Sequence, residues 1–430
     1  MLFRSFPYLV FSAVLSIAPA CANGAPLTLA DAEALAKAHN PALAGAVAGA
    51  KAKAAVPPQA GSLPDPVFSL GALNLPVDTF STSQEAMTQM QLGISQALPF
   101  PGKLGLKRQA AERLAEAAAE NSDEVRLTLL RNVRIAWWNL AWLDKTLSII
   151  GRNQALLRNL VQIAETRYKT GKGLQQDVLL AQLELSKLLE KEMELKAARE
   201  KQAADLNALL GQPSATPVTL PPIADTPPVV SPDISGLKDW AHDHRPLLAA
   251  MRQQVAAAGD MVALADKEYY PDFRLGAAYG FRRGNNPNGS RRADLASVQL
   301  SLTLPIFTGD KQDRLVDQRR AEQAQAEFSW QDAANQVDAE IDAAAADLRA
   351  ASARVELFRQ GILPQARQTT ASMLAGYQVS SVDFLNLVRA QVGEFNTDIQ
   401  YWQQVAMAQQ AAARLAAASG TEDMNKEGTQ

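Results

Sequence analysis

The same long helical pattern occurs twice in this chain, and the duplication limits the folds open to it. Apolar residues recur at alternating steps of four and three in each copy. The first series is Leu129, Val133, Ala136, Leu140, Leu143, Leu147 and Ile150, and the second is Val337, Ile341, Ala344, Leu348, Ala351, Val355 and Phe358. Each residue of the second series lies 208 positions after its counterpart. Such steps form a left-handed coiled-coil seam, so the sequence predicts two similar halves, each with a long packed helix.

Each long helix is expected to form one arm of a helical hairpin. No proline interrupts the stretch from Lys103 to Tyr168, and the glycine-containing turn at 169–173 ends it. A partner helix is expected from about Leu174 to Leu210, and the second long helix from about Lys311 to Tyr377. The candidate tip residues are Tyr168, Gly171 and Asp177 in the first hairpin, and Tyr377 and Ser380 in the second.

Four short segments alternate apolar and polar residues with a period of two, which is typical of strands. Loops at 77–86 and 282–294 join them into two hairpins. An Ala-rich helical segment is expected before them, at residues 28–57, ended by Pro57 and Pro58. The apolar residues of the four strand segments are Phe68, Leu70 and Ala72; Met90, Leu92 and Ile94; Phe273, Leu275, Ala277, Tyr279 and Phe281; and Val298, Leu300, Leu302 and Leu304.

A proline- and glycine-containing segment joins the last strand of each hairpin to the long helix that follows. Proline cannot donate to a sheet ladder but is tolerated at a helix start, and glycine lets the backbone change direction. These segments are therefore predicted strand-to-helix junctions. Their candidate residues are Pro99, Pro101 and Gly102 in the first half, and Pro305 and Gly309 in the second.

The organisation predicted from these patterns has five parts. Residues 1–22 read as a signal peptide, with an apolar run and a small-x-small cleavage site. Residues 23–211 are the first structural repeat, 212–233 a Pro-rich linker, 234–418 the second repeat, and 419–430 a disordered tail. The only cysteine, Cys21, would be removed by cleavage after Ala22; lipid attachment to Cys21 is the alternative.

Closure of the strands is the central physical problem for such a chain. After the signal, no run of about 18 apolar residues appears, so strands must make any membrane crossing. A four-stranded sheet with one apolar face leaves open edges, which a bilayer does not tolerate, so several chains must close it together. The helices are too hydrophilic for lipid and must project into water. A barrel continued by a helical tube is a conduit.

In the combination of two-fold repeat, four strands, paired long helices and Tyr-plus-Gly hairpin tips, the chain resembles outer-membrane efflux proteins of the TolC family. The resemblance implies a mainly helical fold with a small β part: a homotrimer with a twelve-stranded β-barrel in the outer membrane of a Gram-negative bacterium, and a periplasmic α-barrel. It also implies a periplasmic adaptor protein and an inner-membrane efflux pump as partners, with outer-membrane lipid around the strands. The segment 98–103 is similar to the heavy-metal efflux branch of the resistance-nodulation-division type.

In the TolC family the periplasmic mouth narrows near the second hairpin tip, at a motif of Tyr, Gly and two aspartates. Here Tyr377 is kept, Ser380 takes the Gly position, and Asn386 and Arg389 stand at the aspartate positions. The resemblance therefore implies a constriction at Asp383, Asn386 and Arg389, with Arg389 paired across protomers or with Asp383. The alternative is that these are ordinary solvated helix charges.

Other functions fit the sequence less well. A net charge of -3 gives no basic face for nucleic acid. No catalytic fingerprint is present, so an enzyme is not expected, and no cofactor is predicted. No metal site is predicted either, because His242 and His244 point to different faces of a helix. Two alternatives remain: the outer-membrane duct of a type I protein secretion system, and a periplasmic coiled-coil scaffold or adaptor.

Overall fold

Three helices open the described part of the computed structural model, which covers residues 26–223 and 234–422. They are α1 (Leu29–His39), α2 (Pro41–Ala54) and α3 (Val56–Ala60). The helical segment expected over 28–57 is therefore present, and it is divided into three helices. The chain turns at Asn40, whose side chain accepts the Leu43 N–H at 3.0 Å and so begins a new helix. Pro57 lies in the first turn of α3, where a missing N–H costs nothing.

The predicted helical hairpins are present in both halves. α4 (Lys103–Lys169) has 67 residues, about 100 Å at 1.5 Å per residue, and α5 (Gln175–Leu209) returns beside it. In the second half α6 (Ile234–His244) and α7 (Pro246–Lys267) precede the sheet strands. The second hairpin consists of α8 (Gln312–Leu357), a π-helical segment (Phe358–Ile362), α9 (Leu363–Gln378) and α10 (Phe384–Ser419).

The second long helix is not the uniform α-helix that the sequence pattern predicted. Between α8 and α9 the backbone widens into the π-helical turn Phe358–Ile362. Pro364 lies immediately after this turn, in the first turn of α9. Proline has no N–H to donate to the preceding helical turn, and a π-helical turn absorbs the resulting mismatch without ending the helix.

Both predicted seams face the interior, which confirms the coiled-coil pattern. Every residue of the two series is buried except Leu147 and Phe358, which are half-buried against neighbouring helices. In the first half, Val133, Trp137 and Leu140 pack with α1 and the end of α5. In the second half, Ile341 and Leu348 pack with α6, α7 and α10.

Four antiparallel strands form one sheet in the order β1-β2-β3-β4. Its members are β1 (Val67–Leu73), β2 (Gln89–Leu98), β3 (Asp272–Phe281) and β4 (Leu295–Thr303). β2 of the first half pairs with β3 of the second, with Leu98 opposite Phe273. The two halves therefore share one sheet, and β1 and β4 are its open edges within the chain.

The predicted linker and tail are only partly covered by the structure. Residues 212–223 pack on the first repeat: Val218 is buried, and the carbonyl of Thr219 accepts the Leu27 N–H at 2.7 Å. At the other end, Ser419 is the last residue of α10 and Thr421 is buried, so ordered structure reaches beyond the start of the predicted tail. The signal peptide with Cys21, residues 224–233 and residues 423–430 lie outside the described residues.

Within residues 26–223 and 234–422, no helix combines the length and the apolar character that a bilayer-crossing helix needs.

Candidate functional site

The two faces of the sheet differ in chemistry. Ser69, Gln91, Ser95, Gln299 and Ser301 line its polar face, together with glycines and Arg274. The opposite face carries the apolar series predicted from the sequence, and its largest side chains are exposed in the single chain. They include Phe68, Leu70, Ile94, Leu275, Tyr279, Val298, Leu300 and Leu302. An exposed apolar face of this size requires lipid or protein to cover it, whereas the polar face suits water.

A buried lysine fixes the first strand-to-helix junction. Lys103 is the first residue of α4, and its side chain is 3% exposed. Its Nζ lies 3.1 Å from a Glu268 carboxylate oxygen and 3.0 Å from an Asp272 carboxylate oxygen. Asp272 also accepts the Phe100 N–H at 2.8 Å. The junction of the first half is thereby tied to the start of β3 in the second half, which the sequence pattern did not reveal.

The predicted junction residues occupy the short connections between strand and helix. Pro99 follows directly on β2, and Pro101 and Gly102 form the turn before α4. Gly102 has φ of +94°, a left-handed conformation that favours glycine. Pro305 and Gly309 lie between β4 and α8.

At each hairpin tip an aspartate caps the start of the returning helix. At the first tip, Gly171 adopts φ of +71°, and the carboxylate of Asp177 reaches back to accept the Leu174 N–H at 3.4 Å. At the second, Asp383 is the N-cap of α10 and accepts the Asn386 N–H at 2.8 Å. Both carboxylates therefore stabilise the start of a returning helix.

Ser380 is strained relative to the glycine typical of its position. Its φ is +61°, in the left-handed region that side chains rarely adopt. The side chain compensates by accepting a hydrogen bond from Arg167, whose Nη2 lies 2.9 Å from the Ser380 Oγ. This contact joins the two hairpins.

Arg167 holds the two tips together through three contacts with the second hairpin. Besides Ser380, its guanidinium donates to the Tyr377 carbonyl at 3.4 Å and lies over the Tyr377 ring, 4.5 Å from the ring centroid. Tyr377 is itself buried beside Phe384. Tyr168, by contrast, is exposed. The sequence did not single out Arg167, because one cation near a helix end resembles any solvated lysine or arginine.

The predicted constriction residues lie together at the start of α10. Asp383, Asn386 and Arg389 are all exposed and follow each other at three-residue steps. The ion pair considered between Asp383 and Arg389 is not formed within the chain, because the Asp383 carboxylate caps α10. Among the residues that the structure describes, Arg389 has no carboxylate partner in the same chain.

The histidines do not converge on one site. His242 Nε2 lies 2.9 Å from Asp338 Oδ1, whereas the His244 ring stacks on Trp240 with 3.7 Å between ring centroids. In the described ranges, no group of three or more His, Cys, Asp or Glu side chains is placed to hold a metal ion.

Together, the amphipathic strands, the hydrophilic 100 Å hairpins and the tied tips define a channel subunit that connects a membrane sheet to a helical tube. The chain belongs to the outer membrane efflux protein family, whose pattern matches residues 33–212 and 238–421. It is an efflux channel protein of the outer membrane, with its helical hairpins as the large periplasmic part.

Relatives and solved structures agree with this assignment. The cobalt-zinc-cadmium resistance protein CzcC of Cupriavidus metallidurans is 23% identical over 363 residues, which cover 83% of this chain and 81% of CzcC. The transmembrane channel CusC has a similar structure, with a TM-score of 0.78 over 92% of both chains at 16% identity. The outer membrane protein VceC of Vibrio cholerae gives 0.76 over 91% of this chain and 96% of VceC at 22% identity.

Proposed function

We propose that the protein is the exit duct of a tripartite efflux system and works as a homotrimer. The observation that carries this proposal is the sheet with two open edges and an exposed apolar face, attached to helices about 100 Å long. Three copies supply twelve strands for a closed barrel, and their hairpins supply the periplasmic tube. An inner-membrane pump provides the energy and a periplasmic adaptor links it to the duct, since the duct itself is passive.

The proposed organisation of the chain follows its duplication. Residues 23–211 and 234–418 each form one repeat, joined by the linker 212–233. Each repeat has the same order of elements: short helices, a strand hairpin and a long helical hairpin. This organisation places two equivalent hairpin tips per chain at the periplasmic entrance, where Asp383, Asn386 and Arg389 form the constriction and Arg389 is free to pair across protomers.

Divalent heavy-metal cations are the proposed cargo. The similarity to CzcC, a cobalt-zinc-cadmium resistance protein, over most of both chains supports this choice. The duct need not hold the metal, because selection belongs to the pump.

Deletion of the gene in its host tests the cargo. We expect cells lacking the protein to retain more cobalt, zinc or cadmium and to stop growing at lower metal concentrations, and the wild-type gene to restore both. Cell-associated metal is measured by elemental analysis. Retention of organic compounds without metal would contradict the metal assignment, and retention of a normally secreted protein would favour a type I secretion duct.

A further inference from the structure

We propose that neighbouring copies of this chain join through an ion pair between Lys311 of one copy and Asp65 of the next, with β4 of the first copy paired to β1 of the second. This interface rests on the proposed trimeric function and specifies its contacts. It repeats, between chains, the contact that already joins the two halves inside each chain.

The template is the boundary between β2 and β3. There Lys103 at the start of α4 binds Asp272 at the start of β3, with 3.0 Å between Nζ and Oδ1. Phe100 stacks on Tyr270 beside this pair, with ring centroids 4.5 Å apart. Where the first half meets the second, the Lys103 side chain is buried, and the Asp272 side chain is 44% exposed.

The duplication assigns a counterpart to each of these residues. Lys311 lies 208 positions after Lys103, the same offset as the helical seams. Asp65 lies 207 positions before Asp272, and both aspartates follow a proline. The two stacked rings also have counterparts: Phe307 corresponds to Phe100, and Leu63 corresponds to Tyr270.

Within one chain these counterparts do not meet each other. Lys311 and Asp65 are exposed, and among the described residues neither forms an ion pair. Phe307 and Leu63 are 76% and 52% exposed. They occupy the two opposite edges of the sheet, so they cannot meet in one copy. A lysine and an apolar residue at one edge face an aspartate and an apolar residue at the other, which is the complementarity expected of a head-to-tail ring.

The strands before the two junctions repeat with a slightly shorter offset, because Leu98 and Pro99 recur as Leu304 and Pro305, 206 positions later. This offset gives the strand register of the interface. In the chain, Ser95 lies opposite Gly276. Their counterparts are Ser301 on β4 and Ser69 on β1, which therefore lie opposite each other between copies. The flanking pairs become Leu300 with Leu70 and Leu302 with Phe68. In this register polar residues pair on the polar face of the sheet and apolar residues pair on the apolar face. A slip by one residue would mismatch all of these pairs.

A slip by two residues would keep each side chain on the same face of the sheet. The ion pair disfavours this slip. The slip would move Lys311 and Asp65 about 6–7 Å out of line, beyond ion-pair distance. The second junction has two more residues between Leu304 and Lys311 than the first has between Leu98 and Lys103, and the turn at 308–311 contains them. Lys311 thus keeps its place at the start of the helix.

Charge exchange in the full-length protein tests the pair. We expect Asp65→Lys and Lys311→Asp each to lower the temperature at which unheated trimers dissociate in detergent gels, and the double exchange to restore most of it. Asp78→Lys is the matched control, because Asp78 is exposed in the 77–86 loop and has no ion pair among the described residues. Unchanged single variants, or a double variant no more stable than the singles, would overturn the pair.

Cysteine cross-linking tests the register independently. On oxidation, Ser69→Cys with Ser301→Cys should give covalent links between chains, whereas Leu73→Cys with Ser301→Cys, four residues out of line on the same face, should give none. Single-cysteine variants account for Cys21. Trimers that form without the 69–301 link would overturn this interface and leave the duct intact. A wild-type chain that forms no trimer would overturn both.

Discussion

Gly211 shows how one residue holds the N-terminal helices against the first helical hairpin. It follows α5 with φ of +68°, and a Cβ at this position would lie 2.2 Å from the His39 carbonyl oxygen. Glycine is therefore required for two separate reasons, its backbone conformation and the close approach of α1.

Gly211→Ala is expected to destabilise the protein by about 2–4 kcal/mol, from the left-handed backbone cost and the forced displacement of the His39 backbone. Thermal unfolding in detergent, followed by circular dichroism, measures this as a lower Tm. Gly151→Ala is the control, because Gly151 lies within α4 with nothing near its Cβ position and alanine favours helix. Equal Tm values for the two variants would contradict the close approach.

For single residues, the sequence predicted their place in a helix or turn better than their contacts with distant parts of the chain. A glycine after a helical pattern is a recognisable helix end, but the carbonyl that crowds Gly211 belongs to a residue far away in the chain. Lys103 was predicted only as the first residue of a helix. Its burial depends on Glu268 and Asp272, which reach it only once β2 and β3 pair.

The helical hairpin is the element whose limits followed best from sequence. The uninterrupted pattern predicted α4 to end at Tyr168, and it ends at Lys169, because no proline intervenes and glycines follow. The pattern failed where local chemistry opposed the apolar period. Asn40 and Pro41 divided the N-terminal helical segment, and Pro364 accompanied a π-helical turn in the second long helix.

Arg167 couples one hairpin element to the other, so its loss should loosen the tips. We expect Arg167→Ala to raise the single-channel conductance of the protein in planar bilayers, since it removes the hydrogen bonds to Ser380 and Tyr377 that join the tips.

Lys169→Ala is the matched control for this measurement. It removes the same charge from the same helix end. Lys169 is exposed there, and its Nζ lies 3.9 Å from a carboxylate oxygen of Glu165 in its own helix. Conductance that is unchanged in Arg167→Ala, or raised equally in both variants, would contradict the role of Arg167.

As a single chain, the molecule has a sheet with open edges and an uncovered apolar face, and the sequence already indicated this. The period-two strands and the repeated seams predicted a sheet with one apolar face and two similar halves, and the structure has both. The pairing of β2 with β3 was not predicted, because strand order depends on how the halves meet. The edges β1 and β4 remain open, and in the proposed trimer they meet other copies.

The most direct test of this account is the state of the full-length protein in cells. Membranes are fractionated, and unheated and heated outer-membrane samples are compared on detergent gels. We expect a band at the mass of a trimer in the unheated outer-membrane fraction, which converts on heating to the monomer. A monomer found only in the soluble periplasmic fraction would contradict it and would favour a scaffold or adaptor.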